Sequence, residues 1–181
     1  MTPQNLYLVG MMAVGKTTIG RHLASRLGLK FHDTDQVIEQ RAGADISWIF
    51  ELEGEEGFRD REQQVIDELC ARDGVVLATG GGAVLRKHNR ARLRDRGTVL
   101  YLKGSVDLLV DRTEGDHRRP LLKVDNVRQR IETLIAEREP LYESAAHLLI
   151  DVDQRPPKAI AAEVLDRLHD EGLIPKGQVL S

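Results

Sequence analysis

The sequence predicts an α/β fold in which a parallel β-sheet is covered by helices on both faces. Short apolar segments alternate with helical patterns along the chain, which is typical of parallel strands joined by crossover helices. The first apolar segment, Asn5–Val9, is apolar enough to be buried on both faces. It runs into a glycine-rich segment and then a helical pattern, so the chain begins as strand, loop and helix.

The glycine-rich segment, residues 10–18, matches the phosphate-binding pattern G-x-x-x-x-G-K-[ST]. In this motif, backbone N–H groups and the positive end of the following helix dipole converge on one anion. Gly10 and Gly15 allow backbone conformations that a side chain would obstruct. Lys16 would reach the β- and γ-phosphates, and the Thr17 hydroxyl would bind Mg²⁺. The alternative, an accidental glycine-rich turn, is disfavoured by the strand and helix on either side.

Length and composition exclude several classes of protein. The 181 residues fit one domain, which we place at residues 1–170, followed by a tail at 171–181. A net charge of -3 gives no reason to expect a nucleic-acid partner, and no apolar run approaches the roughly 18 residues that span a bilayer. A single cysteine, Cys70, excludes an internal disulfide and fits a reducing cytosol. We therefore expect a cytoplasmic monomer that binds neither membranes nor nucleic acid.

Two aspartates follow the short second strand at residues 30–32. Asp33 and Asp35 stand where ligands bind in open α/β sheets, beyond the carboxyl end of a strand. This position favours a chemical role for at least one of them. Aspartate is also a good N-cap for the helix predicted over residues 36–41, so one of the two could serve only as a cap.

A helical pattern over residues 46–72 is interrupted by Gly54 and Gly57, which predict two separate pieces. On the second piece, Arg59 and Glu62 are three residues apart, share a helix face and can pair. A surface ion pair that contributes little has the same spacing, so the spacing alone leaves both interpretations open.

Three consecutive glycines follow the apolar strand predicted over residues 75–78. Gly80, Gly81 and Gly82 serve no packing purpose at the end of a strand, and they indicate backbone in contact with a ligand. A flexible linker is the competing interpretation, but the apolar residues that follow do not have the composition of a linker.

The second half of the chain continues the alternation and contains one segment without a pattern. We predict helices over residues 87–96, 106–111, 126–139 and 157–169, and strands over 98–102 and 147–152, with Pro140 ending the third of these helices. Arginines at 86, 90 and 94 suggest a solvated helix face. Residues 112–125 carry Arg112, His117, Arg118, Arg119 and Lys123, and a stretch of this length without structure is usually a lid or disordered. Its positive charge favours a mobile lid over phosphates.

Taken together, these motifs resemble the shikimate kinases, small phosphate-loop kinases of the nucleoside-monophosphate-kinase type. The matching patterns are D-x-D after the second strand, F-R with a following Glu, G-G-G after the third strand, R-P-L-L in the lid and R-x-P-L-Y after it. The resemblance extends from Leu6 to about Leu168 and implies a three-layer α/β/α fold with five parallel strands in the order 2-3-1-4-5. It also implies transfer of the γ-phosphate of ATP to the 3-hydroxyl of shikimate, in aromatic amino-acid biosynthesis.

The resemblance further implies a role for each matching residue. The residues expected at ATP are Ala13, Val14, Gly15, Lys16, Thr17, Thr18, Arg112, Arg119 and Arg155. The residues expected at shikimate are Asp35, Arg59, Gly80, Gly81, Gly82 and Arg138, with Glu62 orienting Arg59. Thr17 and, through water, Asp33 would hold Mg²⁺, while Lys16, Asp35 and Arg119 would be catalytic. Ala13 stands where many members have glycine, and Thr17 where many have serine.

Other functions on the same scaffold find less support in the sequence. A gluconate kinase could share the phosphate loop and the lid, but the D-x-D, F-R and G-G-G patterns argue against it. A GTP-dependent switch is disfavoured because the chain contains neither D-x-x-G nor N-K-x-D. A scaffold that only binds ATP would not need the paired aspartates together with the lid arginines.

Overall fold

A computed structural model describes residues 4–114 and 119–175. Within them, five strands form one parallel sheet in the order β2-β3-β1-β4-β5. The strands are β1 (Asn5–Val9), β2 (Lys30–Asp33), β3 (Val75–Ala78), β4 (Gly97–Gly104) and β5 (Leu148–Val152). The structure therefore confirms the parallel sheet and the strand order that the resemblance implied.

Helices connect the strands and cover both faces of the sheet. They are α1 (Lys16–Leu27), α2 (Thr34–Ala42), α3 (Ile46–Cys70), α4 (Lys87–Arg96), α5 (Val106–Thr113), α6 (Val127–Ala145) and α7 (Pro157–Asp170). Crossovers between parallel strands are right-handed, so the direction in which the chain crosses the sheet decides the face on which a helix lies. The chain moves one way from β1 to β2 and the opposite way from β2 to β5, so α1 lies on the opposite face from the helices between β2 and β5. Accordingly, α1 packs against α7, while α3 and α6 both pack against α4. The result is a three-layer α/β/α arrangement.

The register of the central strands aligns the loops that follow them. Ala78 at the end of β3 lies opposite Leu8 of β1 on one side and Asp33 of β2 on the other. All residues of β1 and β3 are buried, as expected for strands with helices on both faces. The phosphate loop, the paired aspartates and the three glycines therefore emerge side by side at one edge of the sheet.

The prediction that Gly54 and Gly57 divide the third helix was wrong for Gly57. Only Gly54 has non-helical torsion angles within α3, with φ at 73° in the left-handed region that favours glycine. Gly57 lies beyond this kink, and a Cβ at that position would be 2.6 Å from Cβ of Glu53. Gly57 is therefore needed because the kink brings the two halves of the helix close together.

The prediction that Pro140 ends its helix was also wrong, because α6 continues to Ala145. Proline lacks the N–H that would bond to the carbonyl of Ala136, but both residues are exposed, so water can reach that carbonyl. Tyr142 and Ala145 beyond the proline are buried in the core. Their burial stabilises the last turns of α6 and outweighs the loss of one backbone hydrogen bond.

Several boundaries differ from those predicted. Helix α5 runs to Thr113, so the predicted lid begins with two helical residues, while His117 and Arg118 lie outside the described residues. Leu122 of the same segment is buried in the core. In the predicted tail, Ile174 is buried and its N–H donates to the carbonyl of Leu168. Among the described residues, no helix is long and apolar enough to cross a membrane.

The arginine stripe on α4 is bonded to the protein rather than simply solvated. Arg94 donates to the carbonyl groups of residues 144 and 145, the last two of α6, and to that of residue 146, at 3.1 to 3.2 Å. A cation at this position complements the negative end of the helix dipole. Arg90 donates to the carbonyl of Val84 at 2.7 Å, and Arg86 pairs with Glu56 and Asp60 on α3.

Candidate active site

A cavity of about 470 Å³ opens at the carboxyl ends of β1, β2 and β3. It is bounded by the phosphate loop, the start of α2, helix α3, residues 80–82 (the glycine loop), residues 119–121 and helix α6. Predicted site residues that line it are Ala13, Gly15, Lys16, Thr17, Thr18, Asp33, Asp35, Arg59, Gly80, Gly81, Gly82, Arg119 and Arg138. Most of the residues singled out from the sequence are therefore brought together in one space.

The phosphate loop has the backbone conformation that its glycines allow. Gly10 and Gly15 have φ angles of 147° and 110°, and a Cβ on Gly10 would lie 2.4 Å from the carbonyl oxygen of Leu102. Ala13 has φ at 66° and is the one residue other than glycine with positive φ in the described part of the chain. Glycine reaches this left-handed conformation without the steric cost that alanine has there.

Lys16 is buried and turned back onto its own loop. Its Nζ donates to the carbonyl oxygens of Gly10 at 2.7 Å and Met11 at 2.8 Å. Burial lowers the pKa of Lys16 to about 7, and the positive charge of Arg119 contributes in the same direction. An anion in the loop would oppose both effects and offer the ammonium group a charged partner.

Asp33 both caps a helix and contacts the phosphate loop. Its Oδ1 accepts the backbone N–H groups of Asp35 and Gln36 and so caps α2, while its Oδ2 accepts the Thr17 hydroxyl at 2.5 Å. The cap is thus Asp33, and Asp35 lines the cavity. Oxygen ligands of this kind fit Mg²⁺, which commonly uses few protein ligands and completes its shell with water and phosphate. In the described ranges, no group of three or more His, Cys, Asp or Glu side chains could hold a metal ion. A Mg²⁺ ion at Thr17 and Asp33 would therefore need ligands from water and phosphate.

Arg59, Glu62 and Arg138 are charged side chains buried beside the cavity. Arg59 and Arg138 are 5% and 2% exposed, and Glu62 is 0% exposed. Nη1 of Arg59 donates to Oε1 of Glu62 at 2.8 Å, so the surface-pair interpretation was wrong. Nε and Nη1 of Arg138 have no hydrogen-bond partner among the described residues. Buried donors without partners are rare, and these indicate that a ligand with negative charge binds here.

The three glycines bring the backbone against these charged groups. A Cβ on Gly80 would lie 2.7 Å from Oε2 of Glu62 and 2.9 Å from Oδ1 of Asp35. A Cβ on Gly82 would lie within 2.2 Å of the Arg59 guanidinium group. The glycine loop therefore leaves room for the charged side chains as well as for a ligand, which extends the interpretation made from the sequence.

Asp35 has the electrostatic environment of a group that can take up a proton near neutral pH. Burial raises the pKa of Asp35 to about 7, and the negative charges of Glu62 and Asp33 add to the effect. Its Oδ1 has no hydrogen-bond partner in the part of the chain that the structure describes. A carboxylate of this kind at a cavity wall can accept a proton from a bound hydroxyl group.

The three arginines expected at ATP lie in different surroundings. Arg119 lines the cavity beside the phosphate loop. Arg112 lies behind the loop and donates to the carbonyl of Val14 at 2.9 Å. Arg155 is exposed and pairs with Asp153 and Glu163. Of the three arginines, only Arg119 lines the cavity. Val14, also expected at ATP, has a fully buried side chain and does not line the cavity.

Sequence reasoning missed the apolar wall of the cavity. Ile46, Phe50 and Phe58 line it from α3, and the two phenylalanine rings are 4.8 Å apart between centroids. The signal was present in part, because Phe50 belongs to an apolar patch and Phe58 precedes Arg59. Which of these side chains face the cavity depends on the kink at Gly54.

A phosphate loop that faces buried arginines and a carboxylate across one cavity defines a phosphate-loop kinase that acts on a small molecule. The sequence model of the shikimate kinase family matches residues 12–169 of the chain. The chain belongs to the shikimate kinase family, and it is an ATP-dependent kinase.

Relatives of known name agree with this assignment. A shikimate kinase from Pseudomonas fluorescens is 54% identical over 165 residues, which cover 91% of this chain and 96% of the relative. The solved shikimate kinase from Acinetobacter baumannii, in complex with shikimate, has a TM-score of 0.93 and 48% identity, and covers 95% of this chain and 96% of its own. A gluconokinase from Sinorhizobium meliloti is only 15% identical with a TM-score of 0.52, covering 94% of this chain and 98% of its own, so it shares the fold alone.

Proposed function

We propose that this chain binds shikimate in the described cavity, with the carboxylate on Arg59 and Arg138 and the ring hydroxyls towards Asp35. The unpartnered N–H groups of buried Arg138 carry this proposal, because they require an anionic partner from outside the protein. A guanidinium group binds a carboxylate through two parallel hydrogen bonds, which suits the acid end of shikimate. The apolar wall formed by Phe50 and Phe58 suits its carbon ring.

ATP would place its phosphates on the loop next to this acceptor. Lys16 would exchange the carbonyls of Gly10 and Met11 for the β- and γ-phosphates, and Arg119 would approach from the other side. Thr17 and, through water, Asp33 would hold Mg²⁺, which neutralises phosphate charge when bound. Arg112 and Arg155 would lie beside the adenine, although neither lines the cavity itself.

Asp35 would then accept the proton of the 3-hydroxyl as its oxygen attacks the γ-phosphate. The O–H bond breaks, the new P–O bond forms, and ADP leaves with the bridging oxygen. Phosphoryl transfer depends mainly on positioning and charge neutralisation, so the cavity has to align the two substrates. The proposal also includes a lid over residues 112–125, a single domain that ends near residue 170, and a monomeric protein in the cytoplasm.

A coupled assay of ADP release over a panel of hydroxy acids tests the proposal. We expect turnover with shikimate, no turnover with gluconate, and a product identified by phosphorus NMR as shikimate 3-phosphate. Lys16→Met is the control, since it removes the ammonium group that serves the phosphates and should abolish turnover. Turnover of gluconate at the rate of shikimate would contradict the proposed acceptor.

A further inference from the structure

Tyr142 is a buried tyrosine of α6 that belongs to neither substrate set described above. It lies four residues after Arg138, one helical turn further along, and is 1% exposed. Its hydroxyl donates to the carbonyl oxygen of Gly81 at 2.5 Å, which joins α6 to the glycine loop. A buried hydroxyl normally has a hydrogen-bond partner. Here the partner belongs to the glycine loop, which lines the proposed acceptor site.

The same hydroxyl lies close to the other groups that surround the acceptor. It is 3.7 Å from Sδ of Met11 in the phosphate loop. Burial raises the pKa of Tyr142 to about 12, and the charge and hydrogen bond of Arg138 are the largest effects that oppose the rise. Arg138, one helical turn earlier on α6, therefore lies close enough to influence the hydroxyl electrostatically. A Cβ on Gly81 would lie 3.4 Å from Nη1 of Arg138, so Gly81 adjoins both the arginine and the tyrosine hydroxyl.

The ring of Tyr142 leaves the hydroxyl little freedom to move. It stacks on Tyr101 of β4, with ring centroids 5.0 Å apart and an angle of 27° between the planes. Tyr101 is also buried. The sheet thus holds the ring of Tyr142, and the ring presents a fixed donor to the glycine loop.

We infer that Tyr142 is a positioning residue for the acceptor, whose hydroxyl holds the Gly81 carbonyl and the Arg138 guanidinium in the arrangement that binds the shikimate carboxylate. The inference rests on the proposed function, because it takes Arg138 and the glycine loop as the acceptor site. Tyr142 acts through these two groups and need not touch either substrate. Loss of its hydroxyl should therefore affect shikimate more than ATP.

Tyr142→Phe tests this inference, with Tyr101→Phe as the matched control. Both changes remove one hydroxyl from the same stacked pair, but only the first removes the bond to Gly81. Loss of one buried hydrogen bond should lower kcat/KM for shikimate by about 5- to 50-fold in Tyr142→Phe, and leave KM for ATP within about twofold. Tyr101→Phe should leave both constants within about twofold of wild type.

A double-mutant cycle with Arg138→Lys separates positioning from general stability. If Tyr142 acts through Arg138, the two changes together should cost clearly less than the product of their separate effects. Independent effects, equal losses for both substrates, or equal effects of the two tyrosine changes would each overturn the inference. Melting temperatures measured alongside identify any loss that comes from unfolding. Absence of shikimate turnover in the wild type would instead contradict the proposed function itself.

Discussion

Arg59 and Glu62 form an ion pair that is almost completely withdrawn from solvent, with exposures of 5% and 0% and a distance of 2.8 Å between Nη1 and Oε1. Burial raises the pKa of Glu62, and the charge of Arg59 opposes that rise. Glu62 thereby compensates a buried cation and fixes one edge of its guanidinium group. Nη2 of Arg59 donates to Oε1 of Glu55 at 3.1 Å, while its buried Nε has no hydrogen-bond partner among the described residues.

Glu62→Gln should destabilise the protein, because it leaves the buried charge of Arg59 without its closest partner. We expect a loss of about 2–4 kcal/mol in the free energy of unfolding, measured by urea denaturation. Glu53→Gln is the matched control, since Glu53 pairs with Arg61 on the surface of the same helix. It should stay close to wild type, and an equal loss in both variants would show that burial of the Arg59 pair is unimportant.

Arg59→Lys should weaken shikimate much more than ATP. Lysine keeps the charge but loses the planar fork of the guanidinium group. We therefore expect the free energy of shikimate binding to weaken by about 1–3 kcal/mol, the contribution of a charged hydrogen bond. Titration calorimetry with each substrate measures the difference directly. Arg61→Lys, two positions further along and directed to Glu53, should change neither affinity. Equal weakening of both substrates by Arg59→Lys would mean that Arg59 is only structural.

Asp35→Asn should lower kcat while preserving the shape of the cavity. General-base assistance is typically worth about 10²- to 10⁴-fold, and a loose transition state places the effect towards the lower end. An effect limited to KM would show that Asp35 only positions shikimate.

The same residue predicts how activity depends on pH. Asp35 accepts a proton only when it is ionised, and its raised pKa of about 7 means that it becomes protonated as the pH falls below neutrality. For the wild type, kcat/KM for shikimate should therefore fall about tenfold per pH unit on the acid side of this pKa. Asp35→Asn should lose this dependence. An unchanged acid limb in the variant would assign the titration to another group.

Arg119→Ala should impair the transition state more than the binding of ATP. We expect kcat to fall by about 10²-fold or more, with a smaller change in the dissociation constant of ATP, since removal of a preorganised charge acts mainly on developing charge. Hydrogen exchange across residues 112–125 should slow when ADP and shikimate are added together. Full protection of this segment without ligands would show a rigid element and contradict the lid.

The sheet and the phosphate loop could be predicted because their signals are local. Alternating apolar segments, G-x-x-x-x-G-K-[ST] and the aspartates after β2 each depend on neighbouring residues in the chain. Parallel register then brings the strand ends together, so a motif at each end is enough to predict a shared site. The strand order came from the family resemblance rather than from these patterns.

What could not be predicted depends on contacts between distant parts of the chain. The spacing of Arg59 and Glu62 predicts a pair but not its burial, which follows from the packing of α3 against the glycine loop. Helix α6 passes Pro140 because residues beyond it are buried, a tertiary effect that overrides local propensity. Likewise, Tyr142 bonds to a carbonyl 61 positions away, which no local pattern reports.

The central claim, that Arg59 and Arg138 recognise the carboxylate of the acceptor, is tested most directly by comparing shikimate with its methyl ester. Esterification removes the charge and leaves the ring hydroxyls in place. The wild type should prefer shikimate by about 100-fold or more in kcat/KM, since two charged hydrogen-bonding partners are lost. The preference should shrink in Arg59→Lys, with KM for ATP unchanged. Equal kcat/KM values for the acid and its ester in the wild type would contradict the claim.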